Sequence, residues 1–61
     1  MTAKELIKLL EKEGWFFVRQ KGSHKVFKKE GVNHIITVPD HAGQDIGKGL
    51  LNKILKDAGL K

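Results

Sequence analysis

Apolar residues near the start of the chain recur every three or four positions. Ala3, Leu6, Ile7 and Leu10 fall at i, i+3, i+4 and i+7, one face of a helix, and Glu5, Lys8, Glu11 and Lys12 lie largely off it. Thr2-Ala3-Lys4-Glu5 reads as a capping box: the Thr2 hydroxyl accepts from the third helical amide and the Glu5 carboxylate reaches back. Gly14 is a natural stop, because glycine takes φ > 0 cheaply. The period then changes. Trp15-Phe16-Phe17-Val18, bulky and in part β-branched, predicts a strand. Gly22-Ser23 predicts a turn. His24 to Lys29 reads as a second strand, Glu30 to Asn33 as another turn, and His34-Ile35-Ile36-Thr37-Val38 as a third strand that Pro39 ends. Asp40 to Gly49 is a polar, glycine-bearing connection. Leu50, Leu51, Ile54, Leu55 and Ala58 return to helical spacing, and Gly59 stops that helix.

The order helix, three strands, helix with short connections predicts an α+β fold, α-β-β-β-α. A three-stranded antiparallel sheet is covered on one face by both helices. The other face stays open. Side chains alternate along a strand, so if Phe27 points to the helices, then His24, Val26 and Lys28 point to the open face. Residues 1–61 form one domain. Of Trp15, Phe16 and Phe17, at least two are expected in so small a core.

Composition narrows what such a domain does. A chain of 61 residues buries only about 60% of the surface its unfolded form exposes, so any active site is a shallow surface. With no cysteine there is no disulfide, thiolate nucleophile or cysteine-based zinc site. No apolar run approaches the ~20 residues of a membrane span, and the charged, amphipathic start is unlike a signal peptide. A cytoplasmic address and no membrane partner are expected.

Charge is the sharpest signal. Arg19 to Lys29, RQKGSHKVFKK, holds five basic residues and no acid, whereas the rest of the chain sets seven lysines against seven carboxylates. The whole formal net charge of +5 therefore lies in this segment, around His24. Such a localised field predicts a bound polyanion, a nucleic acid or an acidic protein. Arg19, Lys21, Lys25 and Lys28 are candidate phosphate contacts. Gly22 lets backbone approach a phosphate, and turn amides with the Ser23 hydroxyl can cradle it. His24 brings an imidazole, the side chain type suited to proton transfer at neutral pH. RNA supplies its own nucleophile, the 2′-OH, so a base and positive charge suffice and no metal or cofactor is needed. From spacing alone, a surface histidine in a basic strand, with no chemistry, is the stronger reading of His24. The lysines alone also fit a solvated sheet edge, and Gly22 alone a plain hairpin turn.

Three motifs add a family resemblance. Lys21-Gly22-Ser23-His24 after an aromatic strand, then Val38-Pro39-Asp40-His41, then Gly49-Leu50-Leu51-Asn52-Lys53-Ile54-Leu55-Lys56-Asp57-Ala58-Gly59-Leu60, resemble the HicA toxin family in order and spacing over nearly the whole chain. The resemblance implies a fold like the double-stranded-RNA-binding domain. It also implies an mRNA-cleaving toxin of a toxin–antitoxin pair, held inactive by a HicB-type partner that masks the basic face. The family's catalytic histidine falls on His24 and its turn glycine on Gly22. Leu50 departs from the threonine many members carry there. The alternative is a non-catalytic RNA-binding module of the same fold. His41, after the proline turn, is a candidate for the acid that protonates the leaving 5′ oxygen, against a plainer role in packing its loop. His34, at a strand start, reads as structural. The three histidines lack the paired short-range spacing of zinc ligands, so no metal site is expected.

Overall fold

The computed structural model describes residues 1–41 and 44–61. Its elements are α1 (Ala3–Lys12), β1 (Phe16–Lys21), β2 (His24–Lys28), β3 (Ile36–Pro39) and α2 (Lys48–Asp57). The strands form one antiparallel sheet in the order β1-β2-β3.

Both ends of α1 are built as the chain chemistry dictates. Thr2 donates its backbone N–H to Glu5 Oε1 at 2.9 Å, and its hydroxyl accepts from the Glu5 N–H at 3.3 Å, closing the capping box. The Thr2 backbone N–H first, and then the Thr2 hydroxyl donating to Glu5 Oε1 at 3.1 Å, lower the pKa of the Glu5 carboxyl from its ordinary value. At the other end Gly14 takes φ +100°. Trp15 N–H then reaches Leu10 O at 2.9 Å and Gly14 N–H reaches Glu11 O at 3.1 Å. This is a Schellman closure, which satisfies carbonyls the helix leaves open. It also swings Trp15 back over Leu10 into the core. Leu60 and Gly59 close α2 in the same way, on Leu55 O and Lys56 O.

Strand bounds differ from the sequence expectation. Trp15 leaves the ladder because the helix closure claims its amide, and β1 instead runs on through Arg19, Gln20 and Lys21. Its pairing with β2 sustains it, not its own apolar pattern. Lys29 falls outside β2, and His34 and Ile35 outside β3, while Pro39 still pairs with His24.

Residues directly opposite in an antiparallel pair share a face. The register sets Phe17, Phe27 and Ile36 on one face, with Gln20, Lys25 and Val38. The two helices cover that face: Leu6, Leu10, Trp15, Phe27, Val38 and Ile54 belong to one buried cluster. Between Phe17 and Arg19 the register slips by one residue, and Val18 is the extra one. The slip turns Phe17 inward, edge-on to Phe27 with ring centroids 6.0 Å apart. Phe16 is left on the opposite face, paired with Lys28. Phe16 and Phe17 are each about half exposed, at 52% and 49%, so of the three neighbouring aromatics only Trp15 fills the core. Phe27 supplies the second ring that the core needed.

Candidate functional site

β1 and β2 are joined by the two-residue loop Gly22-Ser23. Gly22 has φ +59° and Ser23 has no positive φ, the pattern of a type II′ turn. This tight turn fixes the register beyond it: Lys21 faces His24 and Arg19 faces Val26. On the other side His24 faces Pro39 and Val26 faces Thr37. The open face therefore carries Arg19, Lys21, His24 and Lys28 together, with Phe16 beside Lys28. His24 and the three cations are all exposed. The space a side chain would occupy at Gly22 is empty to 4 Å, so the backbone there is open to an approaching ligand. Ser23 is half-buried, and its carbonyl accepts from the Asp40 N–H at 2.6 Å, tying the hairpin tip to the chain leaving β3.

Lys25 must be corrected. It alternates to the helix-covered face and pairs with Asp40, Nζ to Oδ2 at 2.7 Å. Its charge is committed inside the protein and points away from His24. His41 is not among the residues that line the hollow beside His24. His41 is exposed and lines two other hollows, one against α1 with Lys25 and Asp40, the other with Ile46 and Gly47. His34 has a structural post. Its Nε2 lies 2.7 Å from the Asp57 carbonyl oxygen at the end of α2, and its ring lies 5.8 Å from that of Trp15. A carbonyl only accepts, so the His34 proton is on Nε2. Among the described residues no three of His, Cys, Asp or Glu come together as a metal site.

Beside His24 the surface folds in. A hollow of about 390 Å³ runs past the β3 edge to α2, lined by His24, Thr37, Pro39, Leu50, Lys53 and Asp57 among others. Lys53 and Thr37 were not singled out from sequence. Lys53 is three residues after Leu50, one helical turn, and that spacing is the signal that placed it on this side.

Fold and site together define a small α+β domain with one basic sheet face, built around an accessible histidine. The chain matches the family described as "HicA toxin of bacterial toxin-antitoxin" over residues 3–60. It is 34% identical over 61 residues to a "Probable mRNA interferase HicA" of Pseudomonas fluorescens (strain Pf0-1), covering all of this chain and 98% of that relative. It also superimposes with a TM-score of 0.77 on a solved chain of a "HicA3 and HicB3 toxin-antitoxin complex", at 45% identity, covering 100% of this chain and 97% of the other. This chain belongs to the HicA toxin family.

Proposed function

We propose that this protein is the toxin of a toxin–antitoxin pair and cuts mRNA, with His24 as general base. What carries the reading is the open sheet face: an exposed imidazole in register with Lys21 and one strand-neighbour pair from Arg19. Phosphates that track Arg19, Lys21 and Lys28 bring an RNA strand over His24. The imidazole takes the proton of a 2′-OH, and the 2′ oxygen bonds to the adjacent phosphorus. The bond from phosphorus to the 5′ oxygen breaks, leaving a 2′,3′-cyclic phosphate and a 5′-hydroxyl. The site is open, so water can supply the proton to the leaving oxygen; His41, the other candidate for that acid, lines the neighbouring hollows. Gly22 and the turn amides hold a phosphate oxygen where its negative charge grows. None of this needs a metal or a cofactor.

The partner is a HicB-type antitoxin, a reading the matched toxin–antitoxin complex supports, and the basic face offers an acidic partner its charge complement. Among the described residues no helix is long and apolar enough to cross a membrane, and the cytoplasm, where mRNA is, is the place of action. The test is cleavage of a mixed mRNA by the purified chain in excess chelator. His24→Ala should slow it by about 10²–10⁴-fold, the usual contribution of one general base, with an unchanged circular dichroism spectrum. If the variant cuts at the parent rate, the assignment of His24 fails. If the parent leaves RNA intact, the chain is a binding module.

A further inference from the structure

The hollow beside His24 has a floor and walls that the phosphate-tracking cations of the sheet do not explain. Leu50, Lys53, Ile54 and Asp57 fall at i, i+3, i+4 and i+7, one face of α2. Ile54 turns into the core at 4% exposure, whereas Leu50 is 43% exposed and Ile35, across the hollow, 45%. Two exposed apolar side chains thus flank a lysine ammonium. Lys53 takes part in neither of the ion pairs found among the described residues. About 390 Å³ is at the small end of the roughly 300–1,000 Å³ of small-ligand clefts.

Apolar walls around one cation match the two halves of a nucleotide, a flat base with its sugar and a charged phosphate. β3 is the sheet edge, so a strand crossing the open face can turn round it there. We propose that this hollow holds the nucleotide next to the scissile phosphate, with Lys53 on that nucleotide's phosphate and Leu50 and Ile35 against its base or sugar. Asp57, one turn beyond Lys53, puts a carboxylate at the far end and confines the phosphate to the Lys53 side. The inference rests on the RNA-cleaving reading. It makes Lys53 a substrate-binding residue and Leu50 an apolar wall of the hollow.

The test uses the full chain and a fluorescent oligodeoxyuridylate, which lacks the 2′-OH and survives whether or not the protein cuts RNA. Affinity is measured by anisotropy across a salt series. Lys53→Ala should bind several-fold more weakly at low salt, with a log K against log salt slope shallower by about 0.7, one phosphate contact on a single strand. Lys53→Arg should stay close to the parent. Lys56→Ala, which removes the same charge from α2 outside the hollow, should keep the parent slope. On RNA, Lys53→Ala should raise KM more than it lowers kcat. Equal behaviour of Lys53→Ala and Lys56→Ala overturns the proposal. So does a Lys53→Ala chain that binds the oligonucleotide normally but loses an acidic antitoxin, because the hollow then belongs to a protein. A parent chain that leaves RNA intact sinks the ribonuclease reading and with it the scissile phosphate, while the oligodeoxyuridylate series separately decides whether the hollow holds a nucleotide.

Discussion

Lys25 and Lys28 show what a single residue's parity is worth. Both lie on β2 in the same basic run, yet Lys25 is held by Asp40 at 2.7 Å on the helix side and Lys28 faces solvent beside Phe16. In the oligonucleotide salt series Lys28→Ala should therefore shed about 0.7 of slope, and Lys25→Ala should shed none. A loss of slope in both would mean that the ion pair opens to reach substrate. This distinction was half legible in the sequence. Alternation from Phe27 put His24, Val26 and Lys28 on one face, and the same rule carried one step further puts Lys25 on the other, although the basic run counted it with the phosphate contacts. The Asp40 partner was not legible, because it comes from a loop whose return to β2 no local pattern encodes. His24 itself was legible as a titratable group in a basic strand. Its access to the hollow depends on α2, far along the chain.

Elements were read well where their ends have their own chemistry. Thr2 and Glu5 open α1, and Gly14 closes it. β1 was misread because it is an exposed edge strand. Every residue in it is exposed, so burial writes no alternation there, and Arg19 to Lys21 join the sheet through the hairpin. The slip at Val18 hid which phenylalanine turns inward. The turn that sets the register yields a direct prediction. At φ +59° Gly22 is in the left-handed region, where an L-residue costs about 1–2 kcal/mol. Gly22→Ala should lower stability by that amount in urea titration. The same position made as D-alanine by chemical synthesis should not, since positive φ suits that hand. Equal losses for the two hands would assign the cost to the methyl group and not to the backbone.

At the scale of the whole molecule the fold is one thin core between two helices and one sheet face, with little stability to spare. Leu10 is fully buried in that core. Leu10→Ala should cost about 3 kcal/mol or more, against a total of roughly 3–5 kcal/mol for a chain this small. Its circular dichroism should therefore show a large unfolded fraction at 25 °C. Leu50→Ala, from the exposed wall of the hollow, should melt with the parent. The α+β architecture was readable because period and punctuation agreed along the chain. The hollow was not, since it exists only where β3 and α2 meet. That meeting also sets the order of events in time. The β1–β2 hairpin is local and closes in about 1–10 μs, but the surroundings of His24 wait for Asp40 to tie down the turn and for the α2 face from Leu50 to Asp57 to dock. While it is being synthesised, a chain that has displayed His24 has not yet acquired the wall opposite it. The two sides of the hollow come together only once α2 has left the ribosome.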